Sequence, residues 1–110
     1  MDQVAECAIL NGSTVGIITT RAWPKNDDMS GFVNAKAELA RDWNAAKALL
    51  DENTARVVAT IRAVPDEDLG VVVQFPWGPS TLAEVIAYPY WNMSYHEGQI
   101  NYIASILGCL

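Results

Sequence analysis

The sequence predicts an all-α protein: a helical bundle of three long helices, with a short extended segment before the last of them. Three observations carry this. Apolar residues recur at steps of three and four along three separate stretches, the spacing of one helical face. Prolines and glycines fall between those stretches, at Trp23-Pro24, Pro65 and Gly70 to Gly78. The extended segment itself, β-branched and then aromatic, is too short and isolated to make a sheet.

The first helix is expected from Gln3 to about Arg21, with Val4, Cys7, Ala8, Leu10, Val15, Ile17 and Ile18 on a wide apolar face. Gly12, Gly16 and Thr19-Thr20 lower its intrinsic helicity, so packing has to hold it. Such small residues also let a neighbouring element come close. Its pattern is already running by Val4, with almost no lead-in. Trp23-Pro24-Lys25-Asn26-Asp27-Asp28 breaks the period and reads as a loop.

Ser30 or Gly31 opens the second helix, expected as one rod from Phe32 to Ala63. Its stripe is Phe32, Leu39, Trp43, Ala46, Leu50, Val57, Ile61 and Val64, interrupted at Asn53 and Thr54, with most charged residues on the other face. Pro65 ends it. Asp66-Glu67-Asp68 reads as a surface acidic run that nothing orders. Gly70 to Gly78 reads as a strap packed over one end of the bundle.

Thr81-Leu82-Ala83-Glu84 has the form of a capping box, in which a hydroxyl and a carboxylate satisfy the free amides of a helix start. The last helix is expected to run from there to Leu107, ended by Gly108. Leu82, Val85, Ile86, Pro89, Met93, His96, Ile100, Ile103 and Leu107 form its inward stripe. Pro89 removes one backbone hydrogen bond inside it and kinks it. Gly98 reads as a place of close approach by another helix.

His96, the only histidine, lies on that inward stripe one turn after Asn92. Two inward ligand-type side chains at this spacing are how a bundle builds a metal site. The plainer reading is a buried histidine hydrogen-bonded to a neighbour, with Asn92 a polar core residue paired to His96 or to the facing helix. Tyr88, Tyr90, Tyr95 and Tyr102 read as packing and interface residues.

The chain has 110 residues, 51% hydrophobic and 18% charged, and is read as one globular domain spanning 1–110. Seven basic residues scattered among thirteen acidic ones, net −6, exclude a nucleic-acid partner. No apolar run approaches the roughly 20 residues of a membrane span. Met1-Asp2-Gln3 does not open a signal peptide, so the expected location is cytoplasmic. Cys7 and Cys109 form no CxxC pattern and read as free thiols.

Three stretches together resemble the DinB-like superfamily of four-helix bundles. Val4-Ala5-Glu6-Cys7 is similar to the opening of a family helix, and Phe75-Pro76-Trp77-Gly78 with Thr81-Leu82-Ala83-Glu84 to the stretch before its last helix. Tyr95-His96-Glu97-Gly98-Gln99-Ile100 is similar to its closing motif and is the most specific of the three. The resemblance implies an up-down-down-up bundle with a divalent metal, zinc or nickel, held by three histidines. It also implies that the match starts at the family's second helix, the first being absent from this sequence. The family's ligand positions fall on Gln3, Asn92 and His96, of which only His96 is a histidine. In that layout Cys7 and Cys109 lie on the order of 25 Å apart, too far for a bridge.

Two functional readings follow. In one, the chain is a degenerate, non-catalytic member whose histidine triad is reduced to His96, acting as a binding or structural protein. In the other, it is a metal-dependent thiol S-transferase or hydrolase, with His96 as one ligand and others supplied by a second chain. No cofactor is expected for a single chain, and zinc or nickel only where another chain completes the set. A homodimer is the expected assembly, through the apolar groove between the first and last helices.

Overall fold

The computed structural model describes residues 2–24 and 29–109. Helices dominate. In chain order they are α1 (Asp2–Thr20), α2 (Met29–Leu39), α3 (Trp43–Arg62) and α4 (Leu82–Ile106), with a 3₁₀ turn at Asp66–Asp68 and two strands, β1 (Val72–Phe75) and β2 (Gly78–Thr81), between α3 and α4. α1 is the central element, packed against α3, α4 and α2. No described helix is long and apolar enough to cross a membrane. Of the loop expected at 23–28, only Trp23 and Pro24 fall within the described residues.

The single rod expected from Phe32 to Ala63 is in fact two helices. The chain turns at Ala40-Arg41-Asp42, and Asp42 restarts it: its backbone is extended and its carboxylate accepts from the Ala45 amide at 3.0 Å. An aspartate at that position satisfies an orphan amide and favours the positive end of the new helix, so a break there costs little. The break also takes Trp43 off the buried stripe and leaves it exposed, while Ala46 and Val57 of α3 stay buried.

The strap is a β-hairpin. β1 and β2 pair antiparallel, Val72 with Thr81, Val73 with Ser80, Gln74 with Pro79 and Phe75 with Gly78. Gly78 has φ +135°, a conformation L side chains avoid, which lets the chain reverse after Pro76-Trp77. A two-stranded ribbon is marginal alone. Here one face is buried in the bundle, and pairing continues into α4 through Leu82 N–H to Val71 O (2.8 Å) and Ala83 N–H to Leu69 O (3.0 Å). Thr81 is both the last residue of β2 and the N-cap of α4, where its hydroxyl and the Glu84 carboxylate form the expected capping box.

The apolar core sits at this end of the bundle. Ile17 and Ile18 of α1, Val57 of α3, Val73 of β1, and Leu82 and Val85 of α4 are buried together, with Trp23, Ile61, Val64, Phe75 and Ile86 packed on them. Arg21 closes the same end. It adopts φ 58°, rare for a residue with a side chain. Its guanidinium donates to the Ile18 carbonyl and to Asp68 Oδ2 (3.0 Å), tying the end of α1 to the 3₁₀ turn. Asp68 is thus ordered, contrary to the expectation for the acidic run.

Along α1 the core changes character. The stripe Ile18, Thr14, Asn11, Cys7 steps from apolar to polar in turns of four and three, and all four are buried. α4 does the same through Leu82, Val85, Pro89, Asn92 and His96. α1 and α3 come close in this polar half: Ala5, Ala8 and Ala46 are fully buried. A Cβ on Gly12 would lie 2.8 Å from Asn53 Nδ2, which is engaged with the Ala8 carbonyl at 2.8 Å.

The close approach expected at Gly98 is absent. Among the described residues nothing beyond its own helix turn lies within 4 Å of where its Cβ would be, and the residue is exposed. Ile100, Ile103 and Leu107, expected to face the core, are exposed too, because the part of α4 packed against α1 ends near His96. α4 ends as expected: Gly108 has φ +74°, and the Cys109 amide returns to the Ala104 carbonyl at 2.8 Å.

Candidate functional site

The polar half of the bundle brings α1 and α4 together around His96. Its Nε2 lies 2.9 Å from Glu6 Oε2 across the helix pair, and its Nδ1 2.6 Å from Gln99 Oε1, three residues on along α4. The histidine is buried, while Glu6 is about a quarter exposed. Whether the ring donates from both nitrogens, or from Nε2 alone with the Gln99 carboxamide turned about, both nitrogens are engaged.

One turn back along α4, Asn92 is buried and its Nδ2 donates to Cys7 Sγ at 3.8 Å. Burial, and then the negative charge of Glu6, push the Cys7 thiol up to about 11. It is therefore an un-ionised thiol at neutral pH, lacking the thiolate that nucleophilic or metal-binding cysteines use. Below it, Asn11 Nδ2 donates to Thr54 Oγ1 (3.1 Å) and contacts Met93 Sδ (3.5 Å), while the buried Asn11 Oδ1 has no partner among the described residues.

Of the three positions carried over by resemblance, Asn92 and His96 share one stripe. Gln3 is half-buried near the start of α1 and makes no hydrogen bond with either, among the described residues. Zinc or nickel wants about three strong donors with free lone pairs. The donors here are a fully engaged imidazole, a carboxamide turned to a thiol and a second carboxamide, and they do not fit such an ion. No group of three His, Cys, Asp or Glu side chains among the described residues is placed to hold a metal.

Glu6 and Gln99, the two partners that define the histidine's environment, are not legible as such from the sequence alone. Gln99 carried a usable signal, its three-residue spacing from His96 on one helix. Glu6 carried only its position beside the apolar Val4, Ala5 and Cys7 in the opening turns of α1.

Glu6 also borders the second feature, a cavity of about 560 Å³ between α1, α4 and the hairpin. Leu10 and Ile17 of α1 and Val85 of α4 contribute apolar walls, and Ser13 and Thr14 the hydroxyls. Rings from four separate segments line it, Phe32 of α2 among them. Trp23 meets Phe75 edge-on (centroids 5.5 Å) and Trp77 edge-on (5.3 Å), while Phe75 and Trp77 stack at 5.1 Å. Tyr88 stands on α4, at the head of a stacked row with Trp91 and Tyr95. Its hydroxyl titrates above the usual tyrosine range, through burial first and then the charges of Glu6 and Cys7.

A helical bundle with a buried polar seam and an aromatic-walled cavity is the class these observations define. Compared with known proteins, the chain matches no family model, no curated protein and no solved structure.

Proposed function

We propose that this chain is a DinB-like bundle that has lost the metal site and serves as a non-catalytic binding protein. The observation that carries the reading is the engagement of His96. Its two ring nitrogens meet Glu6 and Gln99, and Asn92 on the same stripe is committed to Cys7. Such an arrangement supports a structural histidine that joins α1 to α4 with both ring nitrogens satisfied.

Elemental analysis of protein purified without a polyhistidine tag, beside a His96→Ala control, tests it. Well under 0.1 equivalent of zinc or nickel is the expected result in both, since a stable site needs about three good ligands. Near-stoichiometric metal in the wild type, lost in the variant, overturns the reading. It would favour the alternative of a metal-dependent thiol S-transferase or hydrolase. In that alternative His96 would be one metal ligand and a second chain would supply the others.

The binding protein is proposed to be a homodimer paired through α4. Tyr90, Trp91, Tyr95, Tyr102, Ile106 and Leu107 are all exposed on this helix. Between Val85 and Leu107 the only acidic or basic residues are His96 and Glu97, so two copies of a chain of net −6 can meet there without repulsion. A two-fold pairing places the same apolar face on both sides. Light scattering at micromolar concentration is expected to give twice the monomer mass, and Tyr102→Glu with Ile106→Glu to return the monomer. A wild-type monomer at that concentration refutes the pairing.

A further inference from the structure

We infer that the cavity between α1, α4 and the hairpin is a binding site for an organic cation, an amine or quaternary ammonium carrying an apolar substituent. This extends the proposed role from a binding protein to a class of ligand. The first argument is size. About 560 Å³ is within the range of small-molecule sites, and ample for a substituted ammonium ion.

The second argument is the chemistry of the wall. Trp23, Phe75, Trp77 and Tyr88 line the cavity, and aromatic rings attract cations, most strongly when the ring is tryptophan. Trp77 is 72% exposed, at a hairpin turn where a polar residue would be the ordinary choice. It also lines the cavity, and a ligand there would cover part of it.

Charge supplies the third. The described residues lining the cavity include two carboxylates, Glu6 and Glu84, and no lysine, arginine or histidine. Each carboxylate has a structural partner that orders it, His96 for Glu6 and the Thr81 cap for Glu84. Glu6 and Tyr88 both line the cavity, and the charge of Glu6 adds to burial in raising the Tyr88 hydroxyl. An anionic ligand would meet two like charges and a negative ring wall. The protein already shows the same pairing on a small scale, with the Lys36 ammonium 5.7 Å from the centroid of Phe32, another ring of this wall.

Titration calorimetry and tryptophan fluorescence with three matched probes test the assignment: benzyltrimethylammonium, benzyl alcohol and phenylacetate. The cation is expected to bind at least about tenfold more tightly than the alcohol, with phenylacetate weakest, and to lose affinity as salt rises. Trp77→Ala is expected to lower cation affinity about three- to thirtyfold. Glu84→Gln should reduce the cation's advantage over the alcohol while leaving benzyl alcohol binding unchanged. Trp77 and Glu84 are exposed, so both variants should retain wild-type circular dichroism. Equal binding of cation and alcohol overturns the assignment, as does binding of none of the three or cation binding indifferent to both substitutions. Metal content plays no part in these readouts, so the ligand class and the metal-free reading fail separately.

Discussion

Replacing Val73 with aspartate is expected to unfold the protein at room temperature, while the same replacement one residue earlier, at Val72, leaves it folded. The two side chains point to opposite faces of β1. Val73 is 0% exposed, inside the cluster of Ile18, Val57 and Leu82, whereas Val72 is 54% exposed. A carboxylate at position 73 would have to be buried without a partner or pull the hairpin off the bundle. Either outcome costs several kcal/mol, a large part of the about 5–15 kcal/mol that holds a domain of this size. At position 72 the new charge stays in water and costs about 1 kcal/mol or less. Urea denaturation followed by circular dichroism measures both. If both variants lose stability equally, the strand is not one-sided and the register is wrong, because a slip of one residue exchanges the two faces.

Cys7 and Cys109 are expected to differ by at least about a hundredfold in reactivity toward a thiol reagent at pH 8. Raising Cys7 from its ordinary value of 9 to about 11 leaves roughly a hundredth of the thiolate at that pH, and burial blocks access besides. Cys109 is exposed beyond the end of α4. A native preparation should therefore take up one equivalent of dithionitrobenzoate quickly and the second only on denaturation. The same shift has a consequence for alkaline stability. The unfolded thiol releases its proton near pH 9 and the folded one near 11, so the folded chain holds more protons between them. Stability is then complete below about pH 9 and falls as the pH rises toward 11, with Tyr88 acting in the same direction. Cys7→Ser should flatten that fall in a series of thermal melts. Two equally fast equivalents in native protein would show that Cys7 lies at the surface.

Local signals proved the most dependable part of the sequence. The capping box at Thr81 and Glu84 and the stop at Gly108 depend on a few neighbouring residues, and the structure has both where the residues put them. The free state of the two cysteines agrees as well. The period of three and four located α1, the α3 part of the second helix and the first four turns of α4, because burial of one helical face needs only that spacing. It could not register the break at Ala40-Arg41-Asp42. Phe32 to Val64 keeps an apolar rhythm across the break, and the aspartate that caps the new helix looks in sequence like one more solvated charge.

Which polar groups meet inside the bundle was settled only in three dimensions. Asn11 and Thr14 fall on the buried stripe of α1 although their composition argues for a surface, since each finds a partner: Thr54 from α3 for one, and the Leu10 carbonyl of its own helix for the other. The contact of His96 with Glu6 spans ninety positions of sequence, and the aromatic wall gathers Trp23, Phe75 and Trp77 from two distant segments. Pairing of β1 with β2 was equally hidden, for a two-residue turn of Pro76-Trp77 lacks the Asn-Gly signal of a hairpin and the ribbon is stable only against the bundle. The sequence by itself determined a mostly helical chain and placed His96 and Asn92 on one inward stripe of the last helix, because helical period and capping are short-range. The tertiary structure decided what those two residues touch, which end of α4 is covered, and that a cavity exists, because each depends on segments that only packing brings side by side.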